Sequence, residues 1–103
     1  MYCFVRKDLP HPTQVVQASH ACIEATKAFL DVNLEHPHLV VLGVKDEAAL
    51  FKSANKLASA GIKFRIFTEP DRDGEATALA TEVIFGEQRR FFRNYQLLKG
   101  VAS

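Results

Sequence analysis

The apolar positions of this chain group into short runs separated by helical periodicities. Residues Tyr2–Arg6 form a brief apolar run rich in β-formers and predict a first strand. Pro10 and Pro12 break it, and Pro12 suits the first turn of a helix, where no amide donor is needed. Val15, Cys22, Ala25, Phe29 and Val32 then recur at helical spacing, as do Val16, Ala18 and Ala21. Gln17, His20, Glu24, Lys27 and Asp31 fall on the opposite face, so the spacing predicts a helix over 12–31. Residues 39–44 are uninterrupted and apolar, as expected of a strand covered on both sides. Asp46 is a good N-cap for a second amphipathic helix that carries Ala49, Leu50, Ala54, Leu57 and Ala58. Gly61 fits the left-handed position that ends it. Residues 63–68 read as a third strand, 69–76 as a polar loop, 81–85 as a fourth strand and 88–95 as a short third helix.

The order β-α-β-α-β-β-α predicts an α/β fold, a mixed four-stranded sheet with helices flanking it. Two successive βαβ crossovers call for parallel strands, whereas the polar loop before strand four leaves its direction open. A ferredoxin-like arrangement needs two adjacent strands between its helices, and helix two follows strand two directly. The 103 residues form one domain, 1–103, only marginally stable by itself. The helices leave part of one sheet face bare, and the Phe and Ile content predicts that this face is covered by dimerisation.

Composition changes this picture little. Apolar residues are 48% and charged residues 24% of the chain, ordinary for a globular protein. The net charge of +1 gives no nucleic-acid footprint unless basic residues gather on one face. Cys3 and Cys22 fall at apolar positions and read as reduced core thiols, without the spacing of a zinc site. The chain opens directly into a strand and contains no apolar run near the ~20 residues of a membrane span, so a cytoplasmic protein without a membrane anchor is expected. No metal or cofactor is expected.

Three clusters carry candidate chemistry. His20, on the helix face of Gln17 and Glu24, is either a general acid/base or a surface histidine. Residues 69–75 put four carboxylates into seven positions, which makes either a site with a perturbed base or a solvated acidic turn. If strand three runs parallel to strand one, this loop leaves the sheet at the same edge as the turn into helix one. Arg89, Arg90 and Arg93, interleaved with Phe91, Phe92 and Tyr95, suit RNA phosphates and a stacked base, or else form the solvated face of a terminal helix. The pair His36 and His38 reads as loop histidines.

Val5, Arg6, Asp8 and Leu9, followed by Gln17, Ser19, His20 and Ala21, resemble the opening of the type 2 peptidyl-tRNA hydrolases, which reads V-R-x-D-L, a Lys/Gly-rich turn and then A-A-Q-x-x-H-A. The likeness continues through residues 39–44, Asp46 and Glu47, Ala60 and Gly61, Thr81 to Val83, and Gly86. Glu69, Pro70 and Asp71 stand where the family has its D-A-G turn. Thr13 stands in place of the family's turn lysine, in a turn about two residues shorter that holds Pro10, His11 and Pro12. Lys7, at the strand end, is the candidate replacement cation.

The resemblance implies a mixed four-stranded sheet with flanking helices, usually as a homodimer. It implies hydrolysis of the ester that joins a peptide to the terminal ribose of tRNA. His20, Glu69 and Asp71 are then the expected catalytic residues. Arg6, Lys7, Thr13, Gln17 and Thr81 are the expected contacts to substrate carbonyl or phosphate, and Arg89, Arg90 and Arg93 the expected RNA contacts. The alternative is a non-catalytic module on the same fold that binds RNA or a protein; the absent turn lysine favours it.

Overall fold

A computed structural model describes residues 1–29 and 38–99. The chain order is β1 (Tyr2–Arg6), α1 (His11–Phe29), β2 (Val40–Val44), α2 (Glu47–Ser59), β3 (Phe64–Glu69) and β4 (Glu75–Thr81), with 3-10 turns at Pro70–Arg72 and Gly86–Phe92. The strands form one mixed sheet in the order β2-β1-β4-β3. β1 and β2 are parallel, and β4 runs antiparallel to both β1 and β3. It follows that β3 points the same way as β1, and the carboxyl ends of β1 and β3 share one edge of the sheet.

The expected fold class stands, and three local expectations are corrected. Strand four is Glu75–Thr81, not 81–85. Its sequence is Ala- and Thr-rich, a weak strand signal by propensity. The sheet needs those small side chains: Ala78 and Ala80 are fully buried under α1 beside Ala18, Ala21 and Ala25, so the helix lies close on the strand. The terminal helix is a 3-10 turn, Gly86–Phe92, whose Phe92 ring stacks on Tyr2 with centroids 3.7 Å apart. The buried stripe of α1 is Gln14, Gln17, Ala18, Ala21 and Ala25, whereas Val15 and Val16 face outward at 62% and 50% exposure. The apolar periodicity there thus has two faces, and polar Gln17 sits on the inner one. The end of the predicted first helix beyond Phe29, and His36, lie outside the described residues.

The sheet separates two cores. Phe4, Leu42, Val44, Leu50, Leu57, Leu79 and Phe92 pack on the α2 side. Met1, Cys3, Val5, Ala78 and Ala80 pack on the α1 side. Burial of large side chains such as Phe4, Leu50 and Leu57 contributes about 1.5–3 kcal/mol each. α2 begins as expected: the Asp46 carboxylate accepts from the Ala49 amide at 2.9 Å. Gly61 ends it at φ +74, a conformation glycine takes without cost.

One irregularity matters for function. Between Phe67 and Thr68 the β3–β4 register shifts, and Thr77 is the unpaired residue of a β-bulge. A bulge turns two successive side chains toward one face. Thr77 therefore points at α1 together with Ala78, and bonds Gln17 there.

Candidate active site

α1 and the β3–β4 turn enclose a cleft of about 560 Å³ at the shared carboxyl edge of β1 and β3. Pro12, Thr13, Val16, Gln17 and His20 line it from α1, and Glu69, Asp71 and Arg72 from the turn. The glutamines and Glu69 are held by hydrogen bonds. Gln14, one helical turn before the centre of the site, fixes the entry into α1: its amide donates to the Leu9 carbonyl at 2.8 Å and to the Lys7 carbonyl at 3.3 Å. Gln17 is buried and bonded at both ends. Its Oε1 accepts from the Thr77 hydroxyl at 2.7 Å, and its Nε2 donates to Glu69 Oε2 at 3.0 Å. The second Glu69 oxygen accepts from the Asp71 amide at 3.2 Å.

The Gln17 amide, joined by the Asp71 backbone amide, holds the Glu69 carboxyl below the ordinary carboxylate range. His20 and Arg72 add smaller contributions in the same direction. Glu69 is thus an oriented carboxylate with both oxygens engaged. His20 is exposed and its ring lies flat on Phe67, centroids 4.7 Å apart and planes within 6°. The stacking orients the imidazole plane, and the residue is exposed to a ligand in the cleft. The turn that carries Asp71 and Arg72 is set by Pro70 at its start, by Asp73 at φ +56 and by Gly74 at φ +76. Asp and Gly are the residues that tolerate this left-handed pair.

The cleft brings together Thr13, Gln17, His20, Glu69 and Asp71 of the residues expected from sequence. Others lie elsewhere. Arg6 is buried and committed to ion pairs with Asp8 at 2.8 Å and Glu75 at 2.7 Å, and it also donates to the Ala76 carbonyl. Asp8 is held below its ordinary range mainly by that guanidinium. The Lys7 stem lies over β2, where a Cβ added to Gly43 comes within 2.8 Å of its Cδ. Thr81 is fully buried at the far end of β4, accepting from the Tyr2 amide and donating to the Glu82 carbonyl. Arg89, Arg90 and Arg93 are exposed. Arg89 lines a separate hollow of about 260 Å³ with Met1, Tyr2 and Val40, at the amino end of β1. Sequence reasoning missed Thr77, because its strand was placed too late, and Arg72, because the acidic run around it hid a cation.

Among the described residues no cluster of three His, Cys, Asp or Glu side chains is placed to hold a metal ion. No helix of the described residues is long and apolar enough to cross a membrane.

The family model for peptidyl-tRNA hydrolase PTH2 matches residues 1–88, most of the chain and every side chain that lines the cleft. The chain belongs to the PTH2 peptidyl-tRNA hydrolase family. At the level of that family it is a hydrolase of peptidyl-tRNA, and no curated protein matches it. In this PTH2 chain the cleft between α1 and the β3–β4 turn is the one that joins the helix and turn motifs of the resemblance.

Proposed function

We propose that this protein hydrolyses the ester between a peptide and the 3′-terminal ribose of tRNA in the cleft between α1 and the β3–β4 turn. The observation that carries the reading is the hydrogen-bonded chain Thr77–Gln17–Glu69, which ties the helix and the turn into one preorganised polar site. In this reading a water lies between His20 and Glu69 and attacks the ester carbonyl. His20 takes the proton, since histidine is the usual proton acceptor near neutral pH. Glu69, ionised and immobilised, orients the water and stabilises the imidazolium that forms. The tetrahedral oxyanion collapses with cleavage of the acyl–oxygen bond, and the ribose oxygen leaves as a hydroxyl after receiving that proton. The products are a peptide carboxylate and free tRNA.

Thr13 and the exposed Asp71 border the approach to the ester, and Gln17 positions Glu69. Arg6, Lys7 and Thr81 take no part in the reaction, because none of them lines the cleft. Arg89, Arg90 and Arg93 are available to phosphates on the body of a bound tRNA. We further propose a homodimer, acting in the cytoplasm, whose subunits cover the outer face of α1; the exposed Val15, Ile23 and Leu39 support it.

The test is incubation of the purified protein with an N-blocked peptidyl-tRNA. The expected result is release of deacylated tRNA, reduced on His20→Ala by roughly a hundredfold, the scale of lost acid–base catalysis. Binding without release contradicts the reading and supports the non-catalytic module.

A further inference from the structure

We propose that Arg72 binds the last phosphodiester of the tRNA acceptor end and so places the ester beside His20 and Glu69. The inference rests on the hydrolase reading and adds to it the group that recognises the nucleic-acid half of the substrate.

Electrostatics favours such a group. Of the residues that line the cleft, Glu69 and Asp71 are carboxylates and Arg72 is the only lysine or arginine. A polyanion entering there meets two negative charges, and Arg72 is the cation that reduces the repulsion close to the ester. Of the two cations expected from sequence, Arg6 is engaged in ion pairs, and Lys7 runs its stem over β2 and does not line the cleft. Thr13, in place of a lysine, contributes no charge.

Arg72 is also in a state that a ligand completes. Among the described residues both ion pairs belong to Arg6 and Arg72 forms none, although Asp8 and Glu69 feel its charge. Its Nε is buried with no hydrogen-bond partner. A desolvated donor left unpaired is unfavourable, so the side chain gains by turning that edge of the guanidinium out toward an acceptor. The planar fork matches two phosphate oxygens at once. The residue stands on a rigid platform: Glu69 caps its 3-10 turn, Pro70 opens it, and the Asp73–Gly74 pair closes it. That same turn holds Glu69 through the Asp71 amide, so a phosphate gripped by Arg72 sits at a fixed distance from the oriented carboxylate.

The experiment measures tRNA binding against salt concentration, and steady-state hydrolysis of peptidyl-tRNA, for wild type, Arg72→Gln and Arg72→Lys. Arg72→Gln is expected to raise Kd for deacylated tRNA and KM for peptidyl-tRNA roughly tenfold, the scale of one charge-assisted hydrogen-bonded contact. The logarithmic salt slope falls by about 1, as for one lost phosphate contact. Arg72→Lys restores the slope but only part of the affinity, because a point charge lacks the fork. A purely structural role lowers stability without moving the slope, so the slope separates the two even if Arg72→Gln is less stable. Unchanged KM and slope overturn the proposal, as does a loss confined to kcat, which assigns Arg72 to the oxyanion. If wild type binds tRNA without cleaving it, the hydrolase reading falls and the salt slope still decides the role of Arg72. If wild type binds no tRNA, both fall.

Discussion

The Gln17 side chain illustrates how one buried amide can specify a site. Its two ends cannot exchange: the oxygen must face the Thr77 hydroxyl and the nitrogen must face Glu69, because a carboxylate only accepts. Gln17→Leu removes both bonds and leaves the buried Thr77 hydroxyl without its acceptor, which costs about 1–3 kcal/mol. Urea denaturation is expected to show that loss, with hydrolysis falling by at least roughly tenfold as Glu69 loses its orientation. Adding Thr77→Val to Gln17→Leu is expected to recover part of the stability, because the orphaned hydroxyl goes with it; a double-mutant cycle reads the coupling. Full additivity of the two changes contradicts the pairing. Arg6 belongs to another class of residue. Arg6→Met strips partners from Asp8, Glu75 and the Ala76 carbonyl, and a loss of stability is expected in urea melts without a selective effect on KM.

The elements were legible where each carried its own periodicity or cap, and illegible where tertiary packing set the choice. Tyr2–Arg6, the Asp46-capped helix and the Gly61 stop announce themselves locally. β4 does not, because EATALAT has the composition of a helix and becomes a strand only through its two neighbours and the close approach of α1. The same closeness explains why the inner stripe of α1 is alanine and glutamine while Val15 and Val16 lie outside. A valine-based reading of amphipathicity assigns the wrong face to such a helix. At this scale Ala21→Leu is expected to destabilise by about 1–3 kcal/mol through overpacking against the strands, measured as a shift of the urea midpoint. Asp46→Ala is expected to cost about 1 kcal/mol by loss of the α2 cap, with the cleft and its activity intact.

Over the whole molecule, the sheet topology decides which sequence signals meet. Because β4 is inserted antiparallel between β1 and β3, both of those strands end at one edge, and the acidic turn faces the start of α1. That the acidic turn and the start of α1 share one edge was readable from strand direction, given β3 parallel to β1; the pairing of His20 with Glu69 came from the family resemblance. The exclusion of Thr81 was not readable, since it follows from the true end of β4, nor was that of Lys7, which depends on side-chain direction over β2. The charges of the fold also set its pH response. Asp8 and Glu69 have carboxyl groups depressed in the folded state, so their stabilisation is fully present above the ordinary carboxylate range. It is lost as pH falls through the depressed folded values, below about pH 4. Urea melts across this interval are expected to show stability falling with acidification, and Asp8→Asn is expected to flatten the fall. An unchanged profile in that variant contradicts the assignment of the Arg6–Asp8 pair as a source of it.

In the proposed reaction α1 and the β3–β4 turn form a single hydrolytic cleft whose oriented carboxylate is Glu69. The most direct measurement is single-turnover release of deacylated tRNA from peptidyl-tRNA, comparing wild type with Glu69→Gln at saturating protein. Wild type is expected to release tRNA, and the variant to do so at a rate lower by roughly a hundredfold or more, with tRNA affinity little changed. Equal rates in the two proteins, or no release by wild type, contradict it.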